Sequence, residues 1–136
     1  MKKTAIFTVI LTLLFSMNFI SCGSDSEKPS KVVLKSFELM KNKEYDKVAA
    51  LYISGDNKML SEDEAKKLEG MIGMGAKEYE KEGGIDKIVI DKETINEDGT
   101  KASVDFTIHF KNGKTDETDA DLVKVEGKWY MKIITH

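Results

Sequence analysis

The stretch "KASVDFTIHFKNGKTDETDADLVKVEGKWYMK" (residues 101–132) decides the fold. Ala102, Val104, Phe106, Ile108 and Phe110 alternate with Ser103, Asp105, Thr107 and His109, the period of a half-buried strand. "NG" at 112–113 and "EG" at 126–127 mark turns and divide the remainder into two more strands. Parity then sets the register. A two-residue loop at "EG" pairs Lys124 with Trp129, Leu122 with Met131 and Ala120 with Ile133, and places Asp121 opposite Lys132. A two-residue loop at "NG" would set Phe106 opposite Asp119 and Ile108 opposite Glu117, mixing carboxylates into the apolar face. A three-residue loop over 111–113, with Gly113 left-handed, sets Phe106 opposite Thr118 and Val104 opposite Ala120. One-residue slips turn whole faces over, so the odd loop is expected. Phe106, Ile108, Ala120, Leu122, Met131 and Ile133 then share one apolar face, with Trp129 at its inner side under the stem of Lys124.

Upstream, "IDKIVIDKETI" (85–95) before the turn "NEDGT" (96–100) supplies a further strand. Before residue 85 the period becomes helical. Val33, Phe37 and Met40, with Leu34 alongside, form the stripe of a first helix beginning at Ser30. "NKEYDKVAALY" (42–52) restarts the pattern with Tyr45, Val48, Ala49 and Tyr52 on one side, and "SGDN" breaks it. A third helix opens on the capping box of Ser61 and Glu64. Its expected stripe is Leu68, Met71, Ile72, Gly75 and Tyr79, and Gly83-Gly84 stop it. The glycines of "GMIGMGA" (70–76) each weaken that helix by up to about 1 kcal/mol against alanine. They have the wrong spacing for a dinucleotide fingerprint, and close packing against another element is the expectation. The competing reading is a methionine-lined pocket wall.

The chain begins with Lys2, Lys3 and an apolar run to Ile20, the layout of a signal peptide over residues 1–21. Its end, Phe19-Ile20-Ser21-Cys22, resembles a bacterial lipobox, with Phe19 where leucine is usual. The resemblance implies a lipid on Cys22, the only cysteine, and cleavage before it. A structural disulfide within the chain is excluded, and several acyl chains anchor far more firmly than one. Residues 22–29 read as a flexible tether and 30–136 as one domain. "SDSE" resembles a surface-export signal of some Gram-negative lipoproteins, leaving the surface and the periplasmic face of an outer membrane both open.

Net charge is −3, or −5 without the first 21 residues, and every cation is lysine. An acidic domain without arginine gains no counterion-release energy and no forked phosphate contacts, so nucleic acid is not an expected partner. The expected partners are the membrane, through the lipid, and a small ligand or an envelope protein.

Helices followed by a meander ending in "GKWYMKI" resemble the nuclear transport factor 2-like superfamily. More narrowly they resemble the lumazine-binding-like domains of unknown function in small bacterial lipoproteins. "KSFELMKNKEYDKVAALY" and "LVKVEGKWYMK" carry the likeness, with Gly127 and Trp129 matching a glycine-x-tryptophan near the end. The resemblance implies an α+β fold: N-terminal helices packed on a curved antiparallel meander, forming a cone. It hosts enzymes and plain binding modules alike, so function must be argued from the site.

Candidate pocket-lining residues are Tyr45, Tyr52, Tyr79, Met71 and Phe106. No catalytic residue is assigned. Asp105, His109, Glu117, Asp119 and Asp121 fall on the outer face, where a solvated, lysine-laced surface is expected. Glu117, Asp119 and Asp121 are spread along a strand, unlike a calcium loop, and one cysteine with His109 and His136 cannot make a zinc site. No cofactor is implied. A non-catalytic binding or accessory module is the expected function; the alternative is a small isomerase- or dehydratase-like enzyme using the cone.

Overall fold

The computed structural model describes residues 27–133. Along the chain come α1 (Pro29–Lys41), α2 (Tyr45–Ala49), β1 (Tyr52–Ile53), α3 (Glu62–Lys81), β2 (Ile85–Ile95), β3 (Lys101–Phe110), β4 (Thr115–Val125) and β5 (Lys128–Lys132). The five strands form one sheet in the order β1-β5-β4-β3-β2.

The odd loop is present. Gly113 is left-handed (φ 87°), and Phe106 faces Thr118 and Val104 faces Ala120. The "EG" turn likewise pairs Lys124 with Trp129 and Leu122 with Met131. All five alternating apolar residues of β3 are buried. The pairs Ala120–Ile133 and Asp121–Lys132 do not form, because the β4–β5 ladder stops at Leu122 and Met131. There β5 turns its other edge to β1, and the Ile133 amide donates to Ile53 O at 3.3 Å.

That partnership corrects the purely antiparallel expectation. β1 lies parallel to β5, with Tyr52 beside Met131, so the sheet is mixed. Tyr52, expected on a helix stripe, is therefore a strand residue. Two residues are too few to display a period, and their partner lies far along the chain.

α1 starts one residue earlier than the tether boundary implied, with Pro29 buried in its first turn, where its fixed φ suits a helix. Lys28 offers no side-chain cap; Glu93 of β2 does the work, its Oε2 accepting the Ser30 amide at 2.8 Å. Val32, Val33, Ser36 and Phe37 are buried, whereas Leu34 is exposed. Phe37 meets Phe106 edge-on at 5.5 Å, joining α1 to the centre of the sheet.

α3 carries the expected capping box: Ser61 N–H donates to Glu64 Oε2 at 2.8 Å and Glu64 N–H to Ser61 Oγ at 3.3 Å. Its covered stripe is Leu68, Ile72, Ala76 and Tyr79. Close packing does not account for the glycines. A Cβ on Gly70 or Gly75 would meet nothing within 4 Å, and one on Gly73 would touch the Tyr45 ring at an ordinary 3.6 Å. The methionine-lined wall is also absent, since Met71 and Met74 are 58% and 68% exposed.

Two stability measurements check this packing. Trp129 is buried, with the Lys124 ammonium 5.6 Å from its ring centroid. Trp129→Ala should destabilise the fold by about 3–5 kcal/mol in chemical denaturation; a loss below about 1 kcal/mol would contradict this placement. Gly70→Ala and Gly75→Ala should each stabilise by up to about 1 kcal/mol, and a loss of stability would reveal a neighbour not accounted for.

Candidate functional site

α1 and α3 end beside each other in the same backbone arrangement. In α1 the Glu44 amide donates to Leu39 O and the Lys43 amide to Met40 O, both at 3.0 Å. In α3 Gly84 donates to Tyr79 O and Gly83 to Glu80 O, again at 3.0 Å. These are Schellman ends, which turn the chain sharply and satisfy the last carbonyls. Between them, against the start of β2 and the β3–β4 loop, lies a cleft of about 210 Å³. Met40, Ala76 and Ile85 supply apolar lining, Tyr45 and Tyr79 supply rings, and Lys41, Lys43, Glu80 and Lys111 supply charge.

Lys111 reaches the cleft across Gly84. Its amide donates to Gly84 O at 2.9 Å, and a Cβ on Gly84 would lie 3.9 Å from Lys111 Cδ, Cε and Nζ. Glu82, nearby in sequence, is occupied by Lys114 and Asn112, each at 2.9 Å. That contact holds the Glu82 carboxyl below the usual carboxylate range, chiefly through the Lys114 hydrogen bond. Lys41, Lys43 and Lys111 make no ion pair among the described residues.

Behind the cleft the helix-covered face of the sheet is filled by Val104, Phe106 and Ile108. Tyr79 lies 6.4 Å from Phe37 and 5.8 Å from Phe110 by ring centroids, so it links the cleft to the aromatic core. Burial pushes the Tyr79 hydroxyl above the usual tyrosine range, and the charge of Asp116 adds to the shift. Burial likewise raises Tyr52, with Tyr79 contributing. Among the described residues no aspartate or histidine hydrogen-bonds Tyr45, Tyr52 or Tyr79.

Of the five expected pocket residues, Tyr45 and Tyr79 line the cleft together. Phe106 is a core residue that also borders a depression with Asp105, Glu117 and Asp119, and Tyr52 is half-buried against the core. Met71 points to water, because one residue is about 100° of helix and the covered stripe runs through Ile72. Cys22 and residues 1–26 lie outside the described residues, as does His136.

The outer face holds Asp105, Glu117, Asp119 and Asp121 exposed, and His109 half-buried. Lys92 stands opposite Asp105 and Lys87 opposite His109 across β2, although these four carboxylates form no ion pair among the described residues and Asp105 also stands opposite Asp119. No group of three or more histidine, cysteine, aspartate and glutamate side chains there could hold a metal. Asp116 is the residue the sequence reading passed over. It pairs with Ile108, so by parity it shares the inner face, at an end of the sheet that the helices leave exposed. The same register argument that placed Thr118 opposite Phe106 contained it.

Among the described residues, three helices on a mixed five-stranded sheet, with an opening at the helix ends, define an α+β protein of the NTF2-like fold. Residues 17–132 match the family described as "Domain of unknown function (DUF4878)", and the chain belongs to that family. Among solved structures it is similar to a Campylobacter jejuni protein described as a "Putative NTF2-like transpeptidase". Identity is 18% and the TM-score 0.65, over 79% of this chain and 100% of that one. It also resembles RPA3114, a SEC-C motif containing protein from Rhodopseudomonas palustris. There identity is 11% and the TM-score 0.59, over 84% of this chain and 82% of the other. At these identities the likeness shows the fold alone. No curated protein matches.

The tyrosine environment has a measurable consequence at high pH. A hydroxyl raised in the folded state stabilises fully below its unfolded value of about 10. That contribution is lost as pH rises through the raised folded value. Tyrosinate absorbance should therefore show two late-titrating groups, and Tyr52→Phe should remove one of them. Four tyrosines titrating together near the ordinary value would contradict the burial described.

Proposed function

We propose that this chain is a lipid-anchored envelope protein whose domain binds a small ligand or a protein partner and does not catalyse. The observation that carries the binding part is the filled inner face. Phe37, Tyr79, Phe106 and Phe110 fill the helix-covered face of the sheet, and the cleft at the helix ends brings Tyr45 and Tyr79 together. General acid–base catalysis needs a tuned group within hydrogen-bond reach of the reacting atom, shielded from water. Asp116, whose charge acts on Tyr79, is exposed and makes no hydrogen bond to it among the described residues. A cleft with apolar lining, two rings and a charged margin is suited to holding a ligand in place.

Anchoring rests on the residues around Cys22: the lysine-led apolar run, the lipobox-like ending and the polar segment that follows. A lipid there would hold the domain at an outer membrane by a short tether leading to α1. Glu93, by fastening the Ser30 amide, would keep that tether's exit at the edge of the sheet.

Cell fractionation tests the anchor. Wild type should partition with membranes and Cys22→Ala should not; a variant retained in the membrane like wild type would count against lipidation. Protease shaving of intact cells then separates a surface from a periplasmic orientation. Loss of the domain on shaving identifies the surface, and protection identifies the periplasm.

A further inference from the structure

α1 and α3 end in the same motif, but the left-handed position is filled differently. In α3 it is Gly83 (φ 88°); in α1 it is Lys43 (φ 61°). Glycine adopts this conformation without steric penalty, whereas a lysine crowds its own carbonyl. The strained residue stands at the cleft, where its side chain is part of the lining. Asn57 (φ 62°) and Glu126 (φ 51°) adopt the conformation elsewhere, so it is the place of Lys43 in the cleft lining that gives its side chain a candidate task.

We propose that the cleft binds a compact monoaromatic anion, with its ring against Tyr45 and Tyr79 and its carboxylate or phosphate among Lys41, Lys43 and Lys111. This rests on the reading of the domain as a binding module. Size limits the ligand. An engineered apolar cavity of about 150 Å³ takes up benzene, so about 210 Å³ accommodates one ring and a head group. Aromatic lining favours a ring, through edge or offset contacts.

Charge selects the head group. Lysines near a helix C-terminus can serve only to offset the helix dipole. That account covers Lys41, in the last turn of α1, but not Lys111, which arrives from the β3–β4 loop. The carbonyls of Leu39, Met40, Tyr79 and Glu80 are moreover already taken by the Schellman amides. Of the opposing charges, Glu80 lines the cleft and Asp116 faces Tyr79 from the sheet. Glu82 is held by Lys114. Glu38 and Asp86 also lie beside Lys41, so the selection rests on Lys43 and Lys111.

The purified full-length chain is titrated with benzoate, phenyl phosphate, benzyl alcohol and benzylamine at low ionic strength, following the backbone amides of Ala76, Tyr79 and Ile85. Benzoate or phenyl phosphate should bind tightest and benzylamine weakest, and the preference between the two anions identifies the head group. Lys111→Ala and Lys43→Gly should each weaken anion binding about fivefold and leave benzyl alcohol unchanged. Lys43→Gly should melt no lower than wild type, since glycine relieves the left-handed position. If benzyl alcohol binds as tightly as the anions and neither lysine matters, selection for an anion is overturned while the cleft remains a binding site. If none of the four compounds moves those amides, the cleft is not a small-ligand site and the binding reading loses its support as well.

Discussion

The loop at residues 111–113 determines which face of the sheet every later residue occupies. Three residues with Gly113 left-handed keep Phe106, Ile108 and Phe110 on the same side as Leu122 and Met131. A two-residue loop would turn β4 over and bring Glu117 and Asp119 under the helices. Fully burying one large apolar side chain is worth about 1.5–3 kcal/mol, and stranding a carboxylate beside it costs more than that gain. The register is therefore held by the whole apolar face, and the glycine makes it geometrically attainable. α1 then has a surface to sit on, and the contact of Phe37 with Phe106 centres it.

Coverage by the helices runs out toward the start of β4. Leu122 is buried, Ala120 half-buried, and Thr118 and Asp116 exposed, although all four share the inner face. The uncovered end is where α3 stops at Gly83-Gly84 and where Tyr79 and the β3–β4 loop meet. The opening is thus a product of length: the sheet is longer than the helices that cover it. The reversal at the end of α1 and the β3–β4 loop bring Lys43 and Lys111 to the same margin, from positions far apart in the sequence.

Much of this was legible from period and turn chemistry. The β3 alternation, the odd loop, the "EG" pairing, the Ser61 capping box and the stop at Gly83-Gly84 are all local signals, and each is present. What escaped depends on partners distant in the chain. β1 is two residues long and exists because β5 is there. The cap of α1 comes from Glu93, sixty-three residues away, and no pattern near Lys28 announces it. Met71 was misplaced because adjacent methionine and isoleucine both fit a coarse stripe, and only packing on α2 distinguishes them. Asp116 differs: the odd loop places it on the inner face, but as one of four carboxylates on β4 nothing local marks it as lying near a tyrosine of α3.

Asp116 and Tyr79 show how narrow the interval between binding and catalysis is on this fold. A buried tyrosine with a carboxylate facing it is the starting material for proton-transfer chemistry, provided the pair is enclosed and hydrogen-bonded. Here Tyr79 is held by Phe37 and Phe110, and its ring is part of the core. Asp116 remains in water at the uncovered end of β4, and its charge reaches the tyrosine without a hydrogen bond between them among the described residues. Enclosing it would require α3 to continue past Gly83 and Gly84. Both residues have positive φ, and the Gly84 carbonyl is committed to the Lys111 amide. The same glycines that open the cleft therefore keep the pair unsealed. On the proposed reading, the geometry that would admit a ligand is also what leaves Tyr79 and Asp116 open to water.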